Sequence, residues 1–190
     1  MGRDVVTVEP FYDNILRIHK SSVLEKTQNK IVLIQNAISN KRKEVKRLSK
    51  VINNIGGQSL LDNKDKLFKK EDMVNDKYLV ETILFDDIVP YLPKKDGKEP
   101  YKQAILKIDI EGFEPYAFQN AKLLFETVNV QVIFMEWNKI SNQADNQQMI
   151  IEMIDFLMSK NLKPFLNNTL LLKENWRSWP GDIVWKKSTY

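Results

Sequence analysis

Short runs of aliphatic and β-branched residues alternate along this chain with segments of helical pattern, and this alternation constrains the fold more than any other feature. Apolar runs predict strands at 4–10, 30–39, 104–110 and 130–137, and a short strand followed by one helical turn at 78–89. The helical pattern predicts helices at 14–26, 115–127 and 145–161. Strands that alternate with helices are typical of an α/β domain with a largely parallel sheet. A length of 190 residues suits a single domain over 1–190.

Two further segments complete this pattern. The last two apolar runs, "KPFLNNTLLLKE" and "GDIVWKK", have no helix between them, so we expect an antiparallel hairpin at one edge of the sheet. The region 41–80 is highly charged and contains "NNIGGQSLLDNKD", which is typical of an irregular loop.

Composition excludes several kinds of chemistry. The chain has no cysteine, which rules out disulfides, thiolate catalysis and cysteine-ligated zinc. Because His19 is the one histidine, histidine-rich metal sites and Ser-His catalysis are not expected. Acid–base chemistry must therefore come from Asp, Glu, Lys or Tyr.

The charge pattern gives little indication of a macromolecular partner. The net charge is +4, and much of it lies in "NKRKEVKRLSK" at 40–50. Glu44 interrupts this run and no aromatic residue interleaves with it, so a solvated surface is expected rather than a nucleic-acid site. No apolar run has the length of a membrane span, and the N-terminus does not resemble a signal peptide. No targeting signal is recognised, so the cytoplasm is the default expectation, and the oligomeric state is left open.

Several predicted strands end in carboxylate or amide side chains. Glu9, Asn36 and Glu136 each follow an apolar run, and Asp109 and Glu111 follow another. In open parallel sheets, ligands bind beyond the carboxyl ends of the strands. Four such strand ends therefore predict a shared cleft.

Glu9 allows two interpretations. An acid at the end of the second strand of a nucleotide-binding domain accepts hydrogen bonds from ribose hydroxyls, for which a carboxylate is well suited. A carboxylate that stabilises the N-terminus of the following helix is the structural alternative. Phe11, two residues later, is placed to flank an adenine ring, whereas Trp176, Trp179 and Trp185 are more typical of packing.

The stretch "LKIDIEG" presents the same choice between structure and chemistry. An alternation with a period of two places Lys107, Asp109 and Glu111 on one face of the strand. In one interpretation the lysine and the acids form a structural ion pair. In the other, Asp109 acts in the predicted cleft as a base or as an anchor for the substrate. Glu114 precedes Pro115 and is expected to cap a helix. The paired carboxylates also allow a divalent cation bound through oxygen, but without a third clear ligand this signal is weak, and no metal site is predicted.

Five stretches resemble, in order and spacing, the FkbM-type S-adenosylmethionine-dependent methyltransferases. They are "VVTVEPFYDNILRI", "IVLIQNAIS", "TILFDDIV", "ILKIDIEGFEPYAFQNAKLLF" and "VIFMEW". The family's characteristic strand, K-I/V-D-V/I-E-G-x-E, is matched by Lys107 through Glu114. The resemblance covers about residues 3–138.

The resemblance implies a Rossmann-like class I methyltransferase sheet with strand order 3-2-1-4-5-7-6. It implies S-adenosylmethionine as cofactor and a hydroxyl on a sugar or other small molecule as methyl acceptor. Carried over by position, Glu9 would hold the cofactor ribose, and Asn36 with Ala37 would lie near the adenine. Pro10 and Phe11 would also belong to the cofactor-binding residues. Catalytic residues would be Asp109, Glu111 and Glu136.

One departure from the family pattern accompanies these matches. The family begins with a strand and a glycine-rich turn for the methionine part of the cofactor, and no glycine here lies in such a turn ahead of Glu9. We therefore expect a domain that lacks its first strand and helix and binds the cofactor poorly or not at all. A non-catalytic interaction module is the alternative function. A nicotinamide-dependent Rossmann enzyme is a third reading, but it leaves "KIDIEGFE" unexplained.

Overall fold

The computed structural model describes residues 3–51, 53, 54, 56–61, 67–95 and 97–187. By contacts between residues, the chain divides into two compact units, 1–100 and 101–190. The single domain expected for 1–190 stays a prediction.

The first unit contains one α-helix and several short strands. Its strands are β1 Val5–Val8, β2 Ile31–Ile34, β3 Ala37–Ile38, β4 Val45–Arg47, β5 Leu79–Ile83, β6 Lys94–Lys95 and β7 Glu99–Pro100. The helix is α1, Tyr12–Leu24, and 3₁₀ turns cover Gln28–Lys30, Lys70–Asn75 and Phe85–Tyr91. Strands β1 and β2 pair in parallel, and β5 pairs in parallel with β3 and antiparallel with β4.

Four buried side chains form a core cluster in this unit. They are Phe11, Ala37, Leu48 and Val80, against which Leu60 and Tyr78 pack. The Phe11 and Tyr78 rings lie 5.1 Å apart between centroids. Since Phe11 immediately precedes α1, its burial ties the start of that helix to the strands.

The predicted elements of the first unit are largely present. The strand expected over 30–39 is divided into β2 and β3 at Gln35 and Asn36, where the apolar run becomes polar. The strand and helical turn expected at 78–89 are confirmed as β5 and the turn Phe85–Tyr91. Residues 55 and 62–65 of "NNIGGQSLLDNKD" lie outside the described residues, and the charged region around this stretch also contains β4 and the turn Lys70–Asn75.

The second unit is built on a five-stranded sheet. Its strands are β8 Gln103–Ile108, β9 Asn129–Glu136, β10 Leu162–Leu166, β11 Thr169–Leu170 and β12 Asp182–Lys187, in the order β11-β10-β12-β9-β8. Its helices are α2 Glu114–Phe118, α3 Lys122–Thr127, α4 Asn138–Ser141 and α5 Gln147–Ser159. The pair β8 and β9 is parallel, whereas β12 is antiparallel to β9 and β10.

Helix α5 provides much of the core of this unit. It buries Ile150, Met153, Ile154 and Leu157, whose spacing of three and four residues forms one face of a helix. This face packs against α2 and β10. The tryptophans Trp176, Trp179 and Trp185 are buried, as packing residues were expected to be.

One predicted helix of the second unit is divided in two. The single helix expected over 115–127 is interrupted between Phe118 and Lys122, which gives α2 and α3. The interruption accompanies a cluster of three rings, Phe118, Phe125 and Phe156, whose centroids are 5.3–6.2 Å apart.

The fold is mixed α/β, with several sheets that contain parallel and antiparallel strands. The α/β class expected from the sequence is confirmed. The antiparallel pairing of the two C-terminal strands is also confirmed, since β10 and β12 pair in that direction.

Candidate functional site

The candidate site lies where the parallel strands β8 and β9 end. Ile108 pairs with Met135, so Asp109 and Glu136 follow at neighbouring positions of the two strands. Parallel strands present their carboxyl ends at the same edge of a sheet, which explains why two acids distant in sequence meet here. Carboxylate oxygens of Asp109 and Glu136 lie within 4.8 Å of each other.

A tight turn after β8 adds a third acid. Glu111 has a φ of 61° and Gly112 a φ of 96°, so the extended backbone has ended by this point. The sequence analysis placed Lys107, Asp109 and Glu111 on one strand face, and this is wrong for Glu111 because β8 ends at Ile108. The left-handed turn, rather than strand alternation, brings its carboxylate to the site.

The three carboxylates Asp109, Glu111 and Glu136 form a compact group that we call the acid cluster. Each offers one oxygen, and these oxygens lie within 4.8 Å of one another. Partial burial raises the pKa of Glu136, and so do the charge and hydrogen bond of Asp109 and the charge of Glu111. A hydrogen bond with Asn138 opposes this increase in the pKa. Glu136 therefore protonates more easily than an isolated glutamate does.

Two lysines border the acid cluster. Lys107 Nζ lies 2.9 Å from Asp109 Oδ2, which confirms the ion pair that the sequence left as one of two readings. Lys139 forms an ion pair with Glu111. Lys107 is largely exposed, so its pair with Asp109 contributes little to stability. An ion pair this weak does not prevent Asp109 from having a chemical role.

Glu114 lies under the cluster rather than at its rim. Its side chain is 1% exposed, and its Oε1 accepts a hydrogen bond of 2.9 Å from the backbone N–H of Ile110. Burial raises its pKa to about 7, and the charges of Asp109 and Glu136 act in the same direction. The expectation that Glu114 caps the helix is wrong: it is the first residue of α2, and its carboxylate binds the turn that precedes the helix.

Three residues near α4 hold the acid cluster, and the sequence analysis missed them. Asn138 hydrogen-bonds to Glu136, Lys139 pairs with Glu111, and Gln143 Nε2 donates to the carbonyl of Gly112 over 2.7 Å. Asn138 directly follows the strand that ends in Glu136, so its position offered a signal. No sequence pattern pointed to Gln143, because its partner is 31 residues away.

Replacing Gly112 with alanine is expected to destabilise the unit 101–190 by about 1–3 kcal/mol. The φ of Gly112 is unfavourable for a side chain, and a Cβ there would lie 2.7 Å from Gln143 Nε2. Urea denaturation followed by tryptophan fluorescence measures the change, since all four tryptophans lie in this unit. Equal stability of wild type and Gly112→Ala would contradict the expectation.

In the first unit, the carboxylate of Glu9 accepts a hydrogen bond at the start of helix α1. Its Oε1 accepts a hydrogen bond of 2.7 Å from the N–H of Phe11, the residue before α1, and its side chain also bonds to Asn14. Burial raises the pKa of Glu9, and these two hydrogen bonds oppose the increase. The structure thus shows the structural reading of Glu9. The ribose role of Glu9 and the cofactor-binding role of Pro10 stay predictions.

The other predicted cofactor residues also have structural partners. Phe11 is 3% exposed and lies in the core cluster, with Lys77 Nζ 5.4 Å from its ring centroid. Asn36 Nδ2 donates to the carbonyl of Glu81 over 2.9 Å, and Ala37 is buried in β3. These contacts fix the segment that follows β2. The adenine contacts of Phe11, Asn36 and Ala37 stay predictions.

The comparisons with known proteins identify the class of this chain. Residues 1–164 match the model of the methyltransferase FkbM domain. The chain therefore belongs to the FkbM methyltransferase family, as the resemblance of the "KIDIEGFE" region indicated. No curated protein and no solved structure gives a significant match. Across the described residues, no helix has both the length and the apolar character needed to cross a membrane.

Proposed function

We propose that this protein transfers a methyl group from S-adenosylmethionine to a hydroxyl oxygen of a sugar or another small molecule. Membership of a methyltransferase family supplies the reaction class. The observation that carries the proposal is the acid cluster at the ends of β8 and β9, which provides carboxylates where an acceptor hydroxyl would have to be oriented.

The strand order of the second unit supports a class I methyltransferase arrangement. Its longer strands follow the order β8-β9-β12-β10, with a parallel first pair and antiparallel partners after it. The same order is expected for strands 4-5-7-6 of that fold. On this reading, the acid cluster lies at the edge of the sheet where ligands bind in open α/β folds.

Cofactor contacts would come from the first unit. Glu9 follows β1 and Asn36 follows β2, and β1 and β2 are adjacent parallel strands. A carboxylate has lone pairs on two oxygens, so Glu9 can keep its bond to the N–H of Phe11 and still accept from ribose hydroxyls. The segment of Asn36 and Ala37, held by Glu81, would border the adenine.

The chemistry requires little of the protein beyond positioning and proton acceptance. S-adenosylmethionine supplies an electrophilic methyl group on a sulfonium. Asp109 has an exposed carboxylate that can accept a hydrogen bond from the acceptor hydroxyl and take its proton as the new C–O bond forms. The carboxylates of Glu111 and Glu136 lie beside Asp109 and contribute negative charge around it. Correct orientation of the cofactor and the acceptor hydroxyl supplies much of the remaining rate acceleration.

A nuclear magnetic resonance titration of the ¹⁵N-labelled chain with S-adenosylmethionine tests the cofactor part of the proposal. We expect saturable shifts of the amides around Glu9 and Asn36. Glu9→Gln is expected to weaken binding about tenfold or more, since it removes hydrogen bonds to a charged acceptor.

Glu25→Gln is the matched control, because Glu25 is an exposed acid of the same unit, immediately after α1. It should leave the affinity unchanged. The proposal fails if no shifts occur at millimolar S-adenosylmethionine, or if Glu9→Gln binds as well as the wild type. A panel of sugars and other hydroxyl compounds with methyl-labelled cofactor then tests the acceptor class, and label recovered on nitrogen alone would exclude O-methylation.

A further inference from the structure

The acid cluster brings carboxylates closer together than their charges favour. The oxygens of Asp109, Glu111 and Glu136 lie within 4.8 Å of one another. Carboxylates this close cannot all remain ionised unless a proton or a cation lies between them. The positive charges around the cluster therefore decide what it can bind.

The neighbouring lysines neutralise the cluster only from its periphery. Lys107 engages Asp109 and Lys139 engages Glu111, and the two lysine side chains are 72% and 47% exposed. Among the described residues, no lysine, arginine or histidine forms an ion pair with Glu136. The two lysine side chains thus border the space between the three carboxylates, and no positively charged side chain among the described residues fills that space.

Glu114 gives a second, independent indication that a ligand is bound here. Its carboxyl group accepts from the N–H of Ile110, so it lies against the backbone that joins Asp109 to Glu111. It also interacts electrostatically with Asp109 and Glu136. Its other oxygen, Oε2, is buried and has no hydrogen-bond partner among the residues that the structure describes. A buried carboxyl oxygen without a hydrogen-bond partner is costly, so a partner from outside the protein, such as a water molecule, is expected beside it.

We propose that Asp109, Glu111 and Glu136 bind a divalent cation of the Mg²⁺ or Mn²⁺ type, and that a water molecule of its coordination shell donates to Glu114 Oε2. The sequence analysis found no third ligand, and the pairing of β8 with β9 provides one in Glu136. Carboxylate oxygens are the ligands that these ions prefer, and Mg²⁺ retains several waters.

The spacing of the cluster fits such an ion. Octahedral coordination with metal–oxygen distances of about 2.1 Å places ligand oxygens about 3–4 Å apart. The observed limit of 4.8 Å therefore requires only a small contraction of the side chains around the ion. Binding of the cation does not depend on methyl transfer, so this proposal stands or falls separately from the proposed function.

Calorimetric titration of the chelator-treated chain with MgCl₂ and with MnCl₂ at pH 8 tests the proposal. We expect one saturable site per chain, and the electron paramagnetic resonance signal of free Mn²⁺ counts the same site independently. Glu136→Gln should weaken binding by about tenfold or more, because even partners outside the ligand shell are worth 10–100-fold. Asp109→Asn is the second variant, and tryptophan fluorescence verifies that each variant is folded.

Glu152→Gln is the matched control, since Glu152 is an exposed acid of α5 in the same unit. It should bind the ions as the wild type does. The proposal is overturned if no saturation is seen by about 10 mM, well above the weakest protein sites of about 1 mM. It is equally overturned if Glu136→Gln and Asp109→Asn, both folded, bind as tightly as the wild type.

Discussion

Trp137→Ala is expected to reduce the free energy of unfolding of the unit 101–190 by about 3–5 kcal/mol. The side chain is fully buried, and its ring centroid lies 4.7 Å from that of Trp179. Its Nε1 donates to the carbonyl of Trp176 over 2.8 Å. The substitution thus opens a large cavity, removes a ring contact and leaves a buried carbonyl without its donor.

Urea denaturation followed by the fluorescence of the remaining three tryptophans measures this loss. Trp137→Phe keeps a ring but not the donor, so a smaller loss of about 1–3 kcal/mol is expected from the unpaired carbonyl. Phe134→Ala is the control on the same strand, because Phe134 is 47% exposed and should cost less than either change. A loss below about 1 kcal/mol for Trp137→Ala would show that the site can collapse around the missing ring.

The stability of the same unit is expected to fall by about 3 kcal/mol as the pH rises from about 4.5 to 7, because of Glu114 alone. Its pKa is 4.5 in the reference state and about 7 in the folded protein, so the folded state holds a proton that the unfolded state has released. Below pH 4.5 both states are protonated and Glu114 imposes no cost. Above pH 7 the folded state must bury the charge, and the full loss is present.

Comparison of the wild type with Glu114→Gln isolates this effect from other titrating groups. Glutamine keeps an oxygen for the N–H of Ile110 and is uncharged at every pH, so the variant should be the more stable protein above pH 7. Urea denaturation between pH 4 and 8 in a chelating buffer gives the difference, with Glu152→Gln as the exposed control. Parallel pH profiles for wild type and Glu114→Gln would show that Glu114 is ionised in the folded protein.

The candidate site was predicted in part. The acids Asp109 and Glu136 were found from sequence because apolar runs that end in carboxylates mark the ends of strands. Their meeting depended on β8 pairing with β9 in parallel, which the α/β pattern also implied. The position of Glu111 was misjudged, since a period of two holds only while the backbone is extended, and it enters a left-handed turn.

The sequence by itself determined the main strands and helices, the acids at the strand ends and the family. These features follow from local periodicity and from a contiguous motif, both of which are present in the chain before it folds. Only the tertiary structure decided that Glu114 is buried beneath the acid cluster and that Gln143 holds the turn at Gly112. Burial and contacts over 31 residues depend on how elements pack together, and no local pattern encodes that packing.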